Sequence, residues 1–321
     1  MKLWGATMVR NEADVIESFA RHNLRVLDGL AIVDHGSTDA TASILGDLAR
    51  EGLAIDFTQD ATLEHRQSAI MTGLARSVFA KHDPDFIFLL DADEFLKMPS
   101  RQRLEAEFAT LPPQVHVVQE SYGYVPDFSR GLRGAALLRT ARRVVASRQP
   151  VYKAIVSRRF ATSPTLVAEG NHLVVRRVGA ESYPKVQHAS LAPELCAIAH
   201  VPVRSAEQFA AKISVGWLAC RTRADCADGV AFHWREAYAR LRTGGLLAAE
   251  VLVRNACNYG LPEADWQPAS AIELRDDPFL ADIVNTHDDI GHQDALQLVL
   301  RFAERMATRI AEDSGLRQQR M

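Results

Sequence analysis

Two aspartates stand one residue apart at the end of the most apolar run in the chain, FIFLLDADEF, where Asp91 and Asp93 are followed by Glu94. Alternate side chains of an extended segment share a face, so both carboxylates are presented to one side. Carboxylates that close repel each other and require protons or a cation. A hard divalent ion, Mg2+ or Mn2+, bound by one or two carboxylates and completed by phosphate oxygens, suits such a pair. The plain alternative for any D-x-D is a polar strand end leading into a helix cap. Its position after an apolar strand favours the functional reading. Two further polar clusters follow apolar runs, Arg10-Asn11-Glu12 and Asp34-His35-Gly36-Ser37.

Elements that would position these clusters can be read from hydrophobic period. LWGATMV (3–9), LAIVD (30–34), LAIDF (53–57) and FIFLLD (86–91) read as strands. Helical patterns lie between them, over 12–27, from Ser37 or Thr38 to about Arg50, and over 63–82. Asn11 is the expected cap of the first helix, and Ser37 or Thr38 of the second. Alternating strands and helices predict right-handed βαβ units and a Rossmann-like parallel sheet. Ligands of such sheets bind beyond the carboxyl ends of the strands, where all three clusters fall. From about 114 the pattern becomes β or irregular, and from about 203 helical. A polar stretch, 260–278, reads as a linker or lid, and 292–313 as a last amphipathic helix.

Composition narrows the class. A chain of 321 residues, 47% hydrophobic and 24% charged, is an ordinary globular protein. The net charge of −3 speaks against a general nucleic-acid binder. Cys196, Cys220, Cys226 and Cys257 form no C-x-x-C pair and read as reduced thiols of a cytoplasmic protein. No apolar run approaches the ~18–20 residues of a membrane span.

Four segments in order, VRNEADVIESFARH, VDHGSTDAT, FLLDADEF and HVPVRSAEQFAAK, resemble the glycosyltransferase family 2-like enzymes. The likeness covers residues 3–98 and again 169–216. It implies an α/β fold of the GT-A type, a Rossmann-like mixed sheet flanked by helices. Residues 1–216 would form the nucleotide-sugar-binding and catalytic domain, and 217–321 a helical C-terminal region. It also implies a nucleotide-sugar donor, UDP- or GDP-type, bound through Mn2+ or Mg2+. By position, Val9, Arg10, Glu12 and Asp34 would line the nucleoside end, with Arg66 near the base or phosphates. Asp91 would contact ribose or metal, Asp93 would be the main metal ligand, and His200 would be a third ligand. Arg204 and Lys212 would reach the diphosphate.

The chemistry suits those residue types. Glycosyl transfer expels a nucleoside diphosphate, and cations stabilise the charge that builds on it. The acceptor hydroxyl must lose a proton, and an inverting enzyme needs one base. Candidates are Glu120, Asp127, Glu169 and Glu194; Glu169 in AEGNH is preferred, and His172 can instead orient the acceptor. Trp217, Trp234 and Trp266 can stack on sugars, although such residues are more often core. Residues 130–177 hold eleven Lys and Arg against one acid, Glu169. That stretch is an expected contact for an anionic acceptor, a glycan or lipid-linked carrier, or for the inner face of a membrane. A sugar nucleotidyltransferase would need a Gly-rich triphosphate loop, and GATMVRNEAD is not one. A binding module without turnover is the other alternative.

Overall fold

The apolar runs of the N-terminal half become parallel strands because they are covered on both faces. The computed structural model describes residues 1–112, 115–145, 150–176, 186–223, 231–244, 248–288 and 294–318. β1 (Leu3–Val9), β2 (Gly29–Asp34) and β4 (Phe86–Leu90) are almost wholly buried, whereas β3 (Ile55–Gln59), at the sheet edge, is half-exposed. Between them lie α1 (Ile16–Asn23), α2 (Thr41–Arg50) and α3 (Gln67–His82). The order β3-β2-β1-β4 is parallel throughout. The chain steps outward from β1 to β3 and then crosses to the other side of β1 for β4. A crevice therefore opens beyond the carboxyl ends of β1 and β4.

Past β4 the sheet turns mixed. β5 (Glu94–Lys97) and α4 (Arg101–Thr110) lead to β6 (His116–Val125), then to α5 (Gly134–Leu138), β7 (Arg142–Val145) and β8 (Val151–Ser157). β8 runs antiparallel to both β4 and β6, and β7 antiparallel to β6. β9 (Thr165–Val167) and β10 (Val174–Arg176) form a separate ribbon. β11 (His188–Ser190) and β12 (Ala197–His200) lie parallel to β6, and β12 also runs antiparallel to β5. Helices follow: α6 (Ala206–Arg221), α7 (Phe232–Arg242), α8 (Ala249–Cys257) and, after the edge strand β13 (Glu273–Arg275), α9 (Ala295–Gln318). This is an α/β fold, a mixed sheet flanked by helices and followed by a helical C-terminal region.

Strand alternation divides the core between two faces. Leu3, Leu30, Ile32, Phe88 and Leu90 pack with Phe19, Ile44 and Leu48 on one side. Trp4, Ala6, Ile87 and Leu89 pack with Met71, Val78 and Phe79 of α3 on the other. Each large side chain so buried contributes about 1.5–3 kcal/mol.

Several local expectations are corrected. Asn11 does not cap α1, which starts only at Ile16. It sits at φ +55°, its Oδ1 accepts from Thr38 N at 2.8 Å, and its own N–H donates to Ser37 Oγ at 2.9 Å. The two loops after β1 and β2 are thereby stapled together. Asp39, not Ser37 or Thr38, serves the start of α2, accepting from Thr41 N at 2.9 Å. The stretch 260–278 is neither a free linker nor a lid, because β13 pairs antiparallel with β7. α6 runs unbroken through residues 216 and 217. Among the described residues no helix is long and apolar enough to cross a membrane.

Candidate active site

Strand pairing assembles the first cluster. In the β12–β5 ladder His200 lies opposite Glu94, and Val201 N donates to Asp93 O at 2.9 Å. That register places His200 Nε2 at 3.4 Å from Asp93 Oδ1. α6 then begins, with Ser205 Oγ accepting from Gln208 N at 3.0 Å, and its first residues face back toward Asp93. Lys212 Nζ donates to Asp93 Oδ2 and lies 3.8 Å from Glu12. Arg204 Nη1 lies 3.6 Å from Asp93. Burial alone would raise the Asp93 pKa, but Lys212, His200 and Arg204 outweigh it and hold it well below the ordinary value.

Arg204 is 3% exposed and does not reach out toward a diphosphate. It donates to Asp14 at 2.6 and 2.9 Å, to Glu12, and to Val201 O at 3.2 Å. It is the hub that ties the β1 loop to the β12–α6 corner. Burial raises the Glu12 pKa to about 7 against the pull of Arg204 and Lys212.

Asp91 has a different set of partners. Lys153 Nζ donates to its Oδ2 at 2.5 Å, while Gln67 Nε2 and Asn171 Nδ2 donate to Oδ1 at 3.1 and 3.0 Å. Lys153 also lies 3.0 Å from Glu94, whose side chain is fully buried and accepts from Asp91 N at 2.9 Å. The β4–β8 register explains the lysine: Ile155 lies opposite Phe88, so Lys153, two residues away, faces the end of β4 on the same side.

The expected metal set of Asp91, Asp93 and His200 is therefore not assembled as one. Both oxygens of Asp91 are taken by ammonium and amide donors, and only Asp93 and His200 converge. Among the described residues no group of three His, Cys, Asp or Glu side chains is placed to hold a metal. The cluster is nonetheless rich in carboxyl groups. Glu12, Asp14, Asp91, Asp93 and Glu94 face Lys153, Arg204 and Lys212, five carboxyl groups against three cations, with Glu12 and Glu94 raised toward the neutral form. Burial raises the Glu94 pKa against the pull of Lys153, and Asp91 adds to the rise.

The residues expected at the nucleoside end lie at the neighbouring strand ends, under cover. Val9 and Asp34 are opposite each other in the β1–β2 ladder, and each is 1% exposed. Asp34 Oδ1 accepts from Ser37 N at 3.0 Å, the turn-forming role. Arg10 donates to His35 O at 2.6 Å, to Thr62 O and Leu63 O at 3.2 and 3.3 Å, and lies 5.6 Å from the ring of Phe302 on α9. Burial, reinforced by Arg305, lowers the Arg10 pKa to about 10. Arg305 donates to Gly36 O and Ala61 O at 2.7 and 2.9 Å, and Arg301 to Thr38 O. The last helix is thus seated across the loops that follow β1, β2 and β3. Arg66 is exposed just before α3, and its neighbours His65 and Gln67 turn inward instead.

Other sequence candidates are placed as follows. Glu169 is 44% exposed on its side chain and lies 3.3 Å from Arg223. Glu120 accepts from the Tyr122 hydroxyl, and Asp127 accepts from Ser129 N at 3.0 Å. Trp266 lies between Arg240 and Arg254, at 4.3 and 5.3 Å from its ring. Trp234 packs edge-on to His65 at 5.0 Å and against Gly216. The basic stretch is drawn into the fold: Arg142 pairs with Asp276 at 2.9 Å, Arg143 with Asp277 at 3.3 Å, and Arg158 with Asp83. Arg148, Arg177 and Cys226 lie outside the described residues.

Sequence reasoning missed Lys153, Gln67 and Asn171, and the wall of His233 and Tyr259 beside His200. One signal was available: a lysine at an inward position of the apolar run VYKAIVS. Tyr259 carried none, because the return of α7 and α8 places it.

Compared with models of protein families, the chain matches none, and no curated protein matches it. Among solved structures it is similar to residues 1–349 of TarS from S. aureus, at 13% identity and a TM-score of 0.33, over 75% of this chain and 71% of that one. It is also similar to the mannosyltransferase PcManGT from Pyrobaculum calidifontis in complex with GDP-Man and Mn2+, at 15% identity and a TM-score of 0.34, over 84% and 77%. Neither likeness bears on what this chain binds or does.

Proposed function

We propose that the chain is a glycosyltransferase that moves a sugar from a UDP- or GDP-type donor to a hydroxyl of a glycan or lipid-linked acceptor, with inversion. The observation that carries the reading is the convergence of Asp93, His200 and Lys212 beyond the ends of β1 and β4. Open α/β sheets bind their ligands at that location. The four motifs in their order support the same reading. Departure of a nucleoside diphosphate builds negative charge, and Lys212 supplies a point charge beside it.

A divalent ion fits the chemistry of this corner. Asp93 and His200 offer oxygen and nitrogen donors, in a corner where five carboxyl groups face three cations. When bound, Mn2+ or Mg2+ would stabilise the leaving diphosphate. Arg204 keeps Glu12, Asp14 and Asp93 in register, and Lys153 holds Asp91 and Glu94, so the carboxylates stay apart from each other. Val9, Arg10 and Asp34 would meet the nucleoside once α9 shifts.

Titration calorimetry with UDP and GDP, with and without Mn2+, tests this reading. The expected result is at least about tenfold tighter nucleotide binding with metal, lost in Asp93→Asn. No nucleotide binding, or binding indifferent to metal, counts against it. Thermal stabilisation follows the same rule, since a ligand of the native state raises Tm by mass action.

A further inference from the structure

The base that takes the acceptor proton is the open part of the proposed reaction, and the segment 169–172 points to it. Gly170 and Asn171 both adopt left-handed backbone, at φ +74° and +60°. Asparagine tolerates that conformation better than other side-chain-bearing residues, and here neighbours also hold the segment. Gly170 N donates to Gln67 Oε1 at 2.8 Å, and Asn171 Nδ2 donates to Asp91 Oδ1 at 3.0 Å. The segment is thereby clamped to the carboxylate rim, and its next residue, His172, is exposed. A Cβ on Gly170 would lie 2.5 Å from His172 Nε2, so a side chain there would displace the ring.

His172 Nδ1 lies 2.8 Å from Tyr152 O. A carbonyl oxygen can only accept, so Nδ1 carries the hydrogen and the lone pair of the neutral ring is on Nε2. Among the described residues, three carboxylates of this rim and His200 already have partners. Glu169 lies against Arg223, Glu12 against Arg204, Glu94 against Lys153, and His200 faces Asp93. Desolvation of the ring and the Lys153 cation keep His172 below its ordinary pKa, so it is neutral near pH 7. Asp91 raises the value in part, His200 lowers it further, and His172 in turn acts on His233.

Resting on the glycosyltransferase reading, we propose that His172 Nε2, and not Glu169, is the general base for the acceptor. It removes the hydroxyl proton as the acceptor oxygen bonds to the anomeric carbon. The bond from that carbon to the diphosphate oxygen breaks, and its electron pair leaves with the nucleoside diphosphate. The imidazolium formed then returns its proton to water, which its exposure permits.

The test uses the full chain, a panel of UDP- and GDP-hexoses with Mn2+, and water as the acceptor, reading nucleoside diphosphate release. His172→Asn retains the donor to Tyr152 O and deletes Nε2. It is expected to lower release by about 10²–10⁴-fold with UDP and GDP affinity unchanged within about twofold. It also removes the acid limb of the pH–rate profile, and added imidazole restores rate to His172→Ala. A His172→Asn variant that keeps its rate and its acid limb, or one in which Glu169→Gln alone abolishes both, overturns the proposal and leaves the parent reading standing. Imidazole 15N spectra supply a readout besides activity: an Nδ1–H tautomer supports the assignment, and an Nε2–H tautomer refutes it. A wild-type chain that binds nucleotide with metal but releases none from any donor overturns the proposal; one that binds no nucleotide overturns the parent reading with it.

Discussion

Asp91 and Asp93 leave the same strand end two residues apart, yet their surroundings are opposite in kind. Asp93 is met by Lys212, Arg204 and His200, all from the β12–α6 corner, and its side chain is 2% exposed. Asp91 is met by one lysine from β8 and two amides from α3 and the 169–172 segment, and it remains 28% exposed. The first environment concentrates charge that can act on a ligand. The second fixes geometry with one ammonium and two neutral amide donors. A D-x-D pair is therefore not two equivalent ligands. In this protein one carboxylate is electrostatic and the other anchors the segment that carries His172.

The comparison can be broken most forcefully at its two hubs. Arg204→Met leaves Glu12, Asp14 and Asp93 without their central cation, and Lys153→Met leaves Asp91 and Glu94 unpaired. Removing one partner of a buried pair costs about 3–5 kcal/mol, so urea melts should show losses of that size in both. Only the Arg204 variant is expected also to weaken metal-linked nucleotide binding. Equal loss of binding in Lys153→Met would erase the distinction drawn above.

Acid should separate ion pairs from the histidine wall. Burial lowers the pKa of His22, His65, His116 and His233 from 6.5 to about 4. The unfolded chain takes up those protons first, so stability falls as pH drops from about 6.5 toward 4. Asp93, whose pKa is depressed, keeps its contribution through that window and loses it only on further acidification, below its ordinary 3.8. His22 shows the mechanism: Nε2 donates to Leu96 O at 2.9 Å and Nδ1 accepts from Ala281 N at 3.0 Å. Protonation would break the second bond. His22→Gln should flatten the Tm-versus-pH curve between pH 6.5 and 4, and an unchanged slope would remove His22 from the account.

The smallest effect concerns the cover on the nucleoside end. Arg305→Ala deletes two hydrogen bonds from α9 to the loops after β2 and β3. Each contributes about 0.5–1.5 kcal/mol. GDP or UDP affinity should therefore rise several-fold as the helix lifts more readily. A fall in affinity would instead make Arg305 a ligand of the nucleotide.

Much of this was legible without coordinates. FIFLL, LAIV and LWGATMV are predominantly apolar, and such runs among helical patterns have one common solution, a parallel sheet. The clusters at their ends then had to share one rim. Local boundaries were less legible. Asn11 and Ser37 have the side chains of helix caps, but each found a better partner in the other's loop, which sequence distance concealed. The stretch 260–278 reads as a lid because it is polar, yet its backbone completes a sheet edge.

By itself the sequence determined the parallel half of the sheet, because hydrophobic period is a local property; Asp91 and Asp93 lie in the turn between β4 and β5, so strand alternation did not set where their side chains point. Tertiary structure alone decided which cation meets which carboxylate. Lys153, 62 residues from Asp91, and Lys212, 119 residues from Asp93, arrive through strand register and helix packing. Charge pairing acts over a few ångströms of space, and separation along the chain does not reveal it.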